Sequence, residues 1–321
     1  MSTRVGVLRG GPSDEFSVSL KTGAAVLKNL PEKYQGIDIL IDRERVWHEG
    51  GMPISPEKLF SRIDVFFNAL HGAYGEDGKL ARFFETYQVP FTGSGSLASA
   101  IGMHKGFTKA RALAIGVRVP HGFVVKKEQG STHAVHRAWR EISGTIIVKP
   151  ARGGSSHGVT IIKQRDDLSA ALANLFEQYD ELLIEEFIRG KEATVGVIEN
   201  FRGENLYTLL PAVPVTIGNG EFFDTTTKYD NALHHYEFRD RLSHQESEAL
   251  AEAAKAVHQE IGARHYSRHD FIVKKNGSVY FLEINTLPGL TEASSFPLAL
   301  REIGSTFSNF LNHVITLALE R

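Results

Sequence analysis

Apolar and polar residues change their period several times along the chain, and those changes mark the elements. "RVGVLRGG" (4–11) is a short apolar run ending in glycines, the pattern of a buried strand feeding a turn. "SVSLKTGAAVLKNL" follows with helical spacing, "GIDILI" and "IDVFFNAL" are further strands, and "KLARFFETYQ" is a helix before "VPFTGSG". Strands alternating with helices predict an open, mostly parallel α/β domain. A helix beginning near Lys105 leads to "GVRVPHGFVV". "TIIVKPARGGSSHGVTII" then reads as two apolar strands around a glycine-serine loop, "DDLSAALANLFEQY" as a helix and "ELLIEEFI" as a strand. This middle segment has the pattern of a small α+β domain.

The last third lies beyond "KEATVGVIEN". Ser243 and Glu246 stand at capping-box spacing, opening a helix with Leu250, Ala253, Ala254, Val257 and Ile261 on one face. Phe307, Phe310, Leu311, Val314 and Leu317 have the same spacing and predict a core-facing final helix. Between these helices lies "HDFIVKKNGSVYFLEIN" (269–285), two apolar runs around Asn276-Gly277, the strongest short hairpin signal. A two-residue loop there pairs Lys275 with Ser278, Val273 with Tyr280 and Ile272 with Phe281. Further out it sets Asp270 against Glu283 and Arg268 against Asn285. Those four polar groups then share one face, and Phe271, Val273, Tyr280, Leu282 and Ile284 the other.

Two carboxylates directly opposed repel each other, so this face needs positive charge. A wetted strand whose acids pair with Arg268 satisfies that need. So does a hard cation, because two carboxylates and an amide form an all-oxygen set suited to Mg²⁺ beside phosphates. The apolar context "VYFLEINTLPG" favours the second reading: a magnesium site serving a nucleotide.

Composition narrows the field. The chain has 321 residues, net charge −2 and no cysteine. The length predicts two or three domains. The charge gives no reason to expect nucleic acid or an anionic membrane as partner. Without cysteine there is no disulfide, thiolate metal site or cysteine nucleophile. The N-terminus has neither a signal-peptide nor a membrane-span pattern. These features predict a cytoplasmic enzyme.

Other segments are weaker alone. In "VKPARGGSSHGV" Lys149 stands at a strand end before glycines and serines whose N–H and O–H groups could approach phosphate oxygens, or which simply form a hairpin tip. Glu185 and Glu192 in "EEFIRGKE" could meet adenine and ribose, or only water. "RGGPSDEFSVSL" sets glycines before a helix start, where Glu15 could pair with an ammonium group or with the helix dipole. It lacks the glycine fingerprint of a dinucleotide site. "HGAYGEDG" puts His71 at a strand's C-terminal end, where α/β sheets bind ligands, although a lone histidine is more often structural. "EFFDTTTKYDNALHHYEF" reads as a long polar loop with Lys228 and Tyr229, able to serve as a lid or merely solvated.

In order along almost the whole chain, "RGGPSDEFSVSL", "HGAYGEDG", "FTGSGSLASAIGMHKGFTK", "VKPARGGSSHGV", "EEFIRGKE", Lys228-Tyr229, "RHDF" and "EINTLPGLTEASSFP" resemble the D-alanine–D-alanine ligases of the ATP-grasp superfamily. The resemblance implies a three-domain ATP-grasp fold. Its expected divisions are an N-terminal Rossmann-like α/β domain (1–104), a central domain (105–187) and a C-terminal domain with lid and metal site (188–321). It also implies ATP, two D-alanines, usually two Mg²⁺ ions with Mn²⁺ as an alternative, a homodimer, and a role in supplying the peptidoglycan dipeptide. By resemblance Lys105, Lys149 and Lys228 contact phosphates, the Ser155-Ser156 loop covers the triphosphate, and Glu185, Ile188 and Glu192 surround adenosine. Asp270, Glu283 and Asn285 match the magnesium ligands. Arg268 and the Gly289 N–H match the oxyanion donors. Glu15, linked to Ser155 and Tyr229, matches the first ammonium site, with His71 nearby. Ser294 and the Ser295 backbone match the second carboxylate site.

The chain departs from the pattern at several points. "FFDTTT" and "DNALHHYEF" replace the family's usual residues around the lid Lys-Tyr and lack its proline. Ser17 stands where glutamate is frequent, and His104 where aspartate commonly precedes Lys105. The alternative that shares the metal site is another ATP-grasp carboxylate–amine ligase, or a D-alanine–D-lactate ligase. Tyr229 favours an amino acid as second substrate.

Overall fold

The computed structural model describes residues 2–154, 158–164, 166–216 and 234–320. The first sheet contains β1 (Thr3–Gly10), β2 (Tyr34–Ile41), β3 (Trp47–Glu49), β4 (Met52–Pro53) and β5 (Val65–Asn68) in the order β4-β3-β2-β1-β5. β1 pairs in parallel with β2 and β5, as the alternating pattern predicts. The β3–β4 hairpin adds an antiparallel edge that is too short to leave a period. β1 ends in Gly10 at φ 93°, where an added Cβ would lie 2.3 Å from the Ile41 carbonyl oxygen, so glycine is required at this turn. Helices α1 (Phe16–Asn29), α2 (Pro56–Phe60) and α3 (Lys79–Thr86) flank the sheet.

The chain crosses through α4 (Ser96–Gly102) and α5 (Lys105–Ala114) to a central antiparallel sheet. Its strands are β6 (Gly122–Lys126), β7 (Ile146–Pro150), β8 (Thr160–Ile162) and β9 (Glu181–Glu186), ordered β6-β9-β7-β8. Helices α6 (Ser131–Glu141) and α7 (Asp167–Phe176) close one core with this sheet. α6 escapes the sequence reading because only Ala134 and Ala138 are buried on it, too thin an apolar stripe to register.

The third sheet, β11-β10-β14-β15, contains β10 (Lys191–Phe201), β11 (Glu204–Thr208), β14 (Tyr266–Val273) and β15 (Val279–Asn285). β12 (Val213–Thr216) and β13 (His234–Glu237) form a separate antiparallel pair. One face of the third sheet packs on α8 (His244–Ile261), together with Ala98 of α4 and Ala112 of α5. α8 opens on the expected capping box: Ser243 Oγ accepts from the Glu246 N–H, and Glu246 accepts from the Ser243 N–H. The last helices, α9 (Ser295–Glu302) and α10 (Phe307–Leu319), join a core shared with the first sheet, where Phe310, Leu311 and Val314 meet Val5, Val65 and Phe67. Two segments far apart in sequence thus close one core.

The β14–β15 hairpin departs from its expected turn. Gly277 N–H donates to Lys274 O, Lys274 N–H donates to Ser278 O, and only Gly277 has positive φ. This is a three-residue loop of a type I turn followed by a left-handed glycine, not the two-residue loop. The inner pairs are therefore Val273–Val279, Ile272–Tyr280 and Phe271–Phe281, each one residue off the expected register. A bulge between Asp270 and Phe271 then admits Leu282 as an extra residue and restores Asp270–Glu283 and Arg268–Asn285. As a result Phe281, and not Tyr280, packs on Phe271 in the core, with ring centroids 5.7 Å apart.

Behind β14 lies a buried polar chain. His258 Nδ1 is 2.7 Å from Ser267 Oγ, which is 2.8 Å from His269 Nε2. Burial lowers the His258 pKa to about 4, so the ring is neutral in the folded protein. Below the unfolded value of 6.5 the unfolded chain takes a proton that the folded chain refuses. Stability conferred by this ring is complete above that pH and declines toward pH 4, by at most about 1.4 kcal/mol per pH unit. Urea midpoints measured from pH 7.5 to pH 5 should fall, and His258→Leu should flatten the fall; an unchanged slope would place the acid sensitivity elsewhere.

Candidate active site

Strand register builds the first part of the site. Asp270 on β14 faces Thr194 on β10 to one side and Glu283 on β15 to the other. Its Oδ1 accepts from Thr194 Oγ1 at 2.6 Å and Arg268 Nε at 3.0 Å. Its Oδ2 accepts from Arg268 Nη2 at 2.9 Å and Asn285 Nδ2 at 3.4 Å. Burial works against the Arg268 charge, but Asp270 more than offsets it and raises the guanidinium pKa. Glu283 lies 3.1 Å from Lys105 Nζ at the start of α5. The opposed carboxylates are thus each met by a cation, Asp270 by the Arg268 pairing that the sequence left open. Among the described residues no group of three or more His, Asp or Glu side chains converges as a metal cluster. Asp270, Glu283 and Asn285 nonetheless present hard oxygen donors on one face, a donor set that fits Mg²⁺.

The second part belongs to the central sheet. Lys149, at the end of β7, reaches Glu185 of β9 at 2.5 Å, and Lys109 of α5 bonds the other carboxylate oxygen. All three side chains are buried. Burial would protonate Glu185, yet Lys109 and Lys149 hold its pKa below the usual value. Lys105 also donates to the Gly153 carbonyl oxygen, tying α5 to the glycine loop. Ile188 is buried beyond the end of β9, and Glu192 lies on β10 across from Ile272. His104 caps α5 by accepting from the Phe107 N–H at 3.3 Å through Nδ1, with Nε2 placed 3.2 Å from Glu181. An imidazole thus does the capping that a carboxylate would do there.

The third part comes from the first sheet. Ser13 Oγ donates to the His71 carbonyl at 2.6 Å and accepts from the Glu15 N–H at 3.2 Å, which fixes the loop before α1. His71 Nδ1 is 3.1 Å from the Leu287 carbonyl and Nε2 is 2.9 Å from Thr22 Oγ1. A carbonyl only accepts, so Nδ1 carries the proton and Nε2 accepts from threonine. Burial lowers the pKa of this ring although Glu15 opposes the shift. His71 therefore joins the first domain to the loop after β15. Beside it Glu76 accepts from the Gly72 N–H at 2.8 Å. Burial, reinforced by the charge of Glu15, pushes the Glu76 carboxyl up to about 8.

The fourth part follows β15. Ser294, the N-cap of α9, shares a 2.8 Å hydroxyl contact with Thr291, and a Cβ on Gly289 would lie 3.1 Å from Ser294 Oγ. The neighbouring Ser295 hydrogen-bonds Tyr236 of β13, whose hydroxyl pKa is raised by burial despite the nearby Arg268.

A cleft lined by Glu76, Lys105, Gly153, Gly154, Glu283 and Asn285 brings together residues of the first three parts. Arg268 and Ser295 line a separate pocket with Thr194, and Lys149 and Glu185 line neither. The expected residues Ser155, Ser156, Lys228 and Tyr229 lie outside the described residues. Sequence reasoning missed Thr194, Glu76, Lys109 and Tyr236. Lys109 was within reach, because it follows Lys105 by one helical turn on α5, and Glu76 sits inside the glycine-rich motif already singled out. Thr194 and Tyr236 carried no local signal.

Two antiparallel sheets meeting at a cleft lined by Lys105, Glu76 and Glu283, behind a parallel α/β domain, define an ATP-grasp protein. The family model described as D-ala D-ala ligase C-terminus matches residues 113–316, and the one described as D-ala D-ala ligase N-terminus matches residues 49–94. The D-alanine–D-alanine ligase of Geotalea uraniireducens is 35% identical over 317 residues, covering 98% of this chain and 95% of that protein. The VanG D-Ala:D-Ser ligase from Enterococcus faecalis superposes with a TM-score of 0.86 at 28% identity, covering 99% of this chain and 100% of the other. The Bacillus anthracis D-alanine–D-alanine ligase complexed with ATP gives a TM-score of 0.80 at 28% identity, covering 99% and 98%. This chain belongs to the D-ala D-ala ligase family.

The raised Glu76 pKa yields a sign that can be measured. An acid that titrates near 8 when folded and near 4.5 when unfolded adds stability below pH 4.5 and loses it as pH rises toward 8. Glu76→Gln should remove a slope of at most about 1.4 kcal/mol per pH unit across that window. The variant should therefore be more stable than the parent in urea at pH 8. Equal pH slopes in both proteins would show that Glu76 is ionised in the fold.

Proposed function

We propose that this protein joins two D-alanine molecules to D-alanyl-D-alanine, the peptidoglycan precursor dipeptide, with ATP cleaved to ADP and phosphate. The observation that carries this reading is the cleft where Glu76, Lys105, the Gly153-Gly154 loop, Glu283 and Asn285 meet. It brings together a lysine ammonium for a triphosphate and hard oxygen donors for a divalent ion, with Glu15 close enough to Glu76 to shift it. The expected domains, 1–104, 105–187 and 188–321, supply these groups from separate segments.

In the first step the carboxylate of one D-alanine attacks the γ-phosphorus, forming an acyl phosphate and releasing ADP. In the second, the amine of the other D-alanine attacks the acyl carbon; the tetrahedral intermediate collapses with loss of phosphate and of the amine proton. Glu15 holds the first ammonium, and His71 sets the loop beside it. Lys105 and Lys149 neutralise phosphate oxygens, with Lys228, Ser155 and Ser156 expected to close over them and Tyr229 to complete the Glu15–Ser155 link. Glu185, Ile188 and Glu192 bind adenosine. Arg268 and the Gly289 N–H stabilise the oxyanion, and Ser294 with the Ser295 backbone holds the second carboxylate. Asp270, Glu283 and Asn285 would hold Mg²⁺, which supplies charge neutralisation for the phosphoryl group.

Phosphate release with D-alanine, D-serine, D-lactate and L-alanine, with products identified by mass spectrometry, tests the reading. The expected outcome is D-Ala-D-Ala with one phosphate per dipeptide. The VanG ligase takes D-Ser by name, so turnover with D-serine in place of the second D-alanine would move the acceptor and leave the first step intact. Asp270→Asn combined with Glu283→Gln should cut kcat by about a thousandfold or more. Unchanged turnover in that double variant would remove the metal site from the mechanism.

A further inference from the structure

α5 carries ammonium groups at Lys105 and Lys109, one turn apart, and they face different domains. Lys105 pairs with Glu283 of the third sheet, whereas Lys109 pairs with Glu185 of the central sheet. Glu185 already has Lys149 at 2.5 Å. One carboxylate, 1% exposed, thus sits between two lysines that are 5% and 7% exposed. A buried cluster with surplus positive charge is costly. Burial lowers the Lys109 pKa to about 7, although Glu185 opposes the shift, and Lys149 adds to it. That cost falls once one of the two cations turns to another anion. Lys149 is the cation that can turn: it stands at the end of β7, four residues before Gly153, which lines the cleft with Gly154.

We propose that Lys109 is a positioning residue for nucleotide selection: it is the resident counter-ion that keeps Glu185 ionised after Lys149 turns to the triphosphate. The assignment rests on the reading above that Glu185 meets the adenine. An ionised carboxylate accepts a hydrogen bond from the 6-amino group of adenine and repels the 6-oxo group of hypoxanthine. A protonated carboxyl can donate to that oxo group and tolerates both. Lys109 thereby sets base preference without touching the base. Burial alone would drive Glu185 to the protonated form, and the cations reverse that tendency.

The full-length enzyme would be assayed with ATP and with ITP at several pH values, comparing the parent with Lys109→Met, Lys109→Arg and Glu185→Gln. Lys109→Met keeps the Lys149–Glu185 pair and is expected to fold, which a thermal melt checks; Lys109→Gln substitutes if it does not. In Lys109→Met the ATP-over-ITP ratio of kcat/KM should fall by about tenfold or more, mainly through KM for ATP. That KM should also rise as pH is lowered from 8 to 6, whereas in the parent Lys109, whose pKa burial lowers to about 7, gains its proton over the same window and the rise should be missing. Lys109→Arg should restore both properties. Loss of base preference in Glu185→Gln with full preference kept in Lys109→Met would overturn the role of Lys109. Full preference kept in Glu185→Gln would instead overturn the placement of adenine on Glu185, and the inference with it.

Discussion

The structure turns on holding like charges close together where water is scarce. Asp270 and Glu283 are paired across β14 and β15, Glu15 and Glu76 both approach Gly72, and Glu185 is almost fully enclosed. Each carboxylate would be unfavourable alone, since desolvation and mutual repulsion both oppose ionisation. Cations delivered from other parts of the chain resolve most of these conflicts: Arg268 for Asp270, Lys105 for Glu283, and Lys109 with Lys149 for Glu185. For Glu76 burial and the charge of Glu15 instead push the carboxyl up to about 8. The cleft is therefore charged but locally balanced.

That balance depends on α5. The helix packs with α8 and the third sheet through Ala112, yet its polar face points at the central sheet and the glycine loop. It is the one segment of the described site whose lysines touch acids of both neighbouring sheets. His71 does similar work elsewhere, linking the loop after β5 to Leu287 beyond β15 through a neutral ring. The shared core of α10 and the first sheet holds those parts in fixed relation. Catalytic geometry here rests on contacts between segments rather than on any single motif.

The hairpin shows how far local rules carry. Opposed acids at Asp270 and Glu283 were correctly placed, although the turn that was meant to place them is of another type. Two one-residue differences, a longer loop and a bulge at Leu282, compensate. Propensity at Asn276-Gly277 cannot distinguish these loops, because glycine serves both. What decides is the core: Phe281 packs against Phe271, and the bulge then returns Glu283 and Asn285 to the cleft face. The bulge carries no local sequence signal.

By itself the sequence determined the order and kind of most elements, the capping box at Ser243, the all-oxygen face of β14 and β15, and the family to which eight ordered motifs belong. These are properties of local period, turn chemistry and residue type, which act over a few positions. Only the tertiary structure decided which cation meets which acid, that Thr194 and Tyr236 join the site, that His71 links the loop after β5 to Leu287, and that the final helix completes the first core. Those outcomes depend on pairing between residues tens to hundreds of positions apart, and on burial, which sets the charge of each group. Neither quantity is present in a linear pattern until packing brings the segments together.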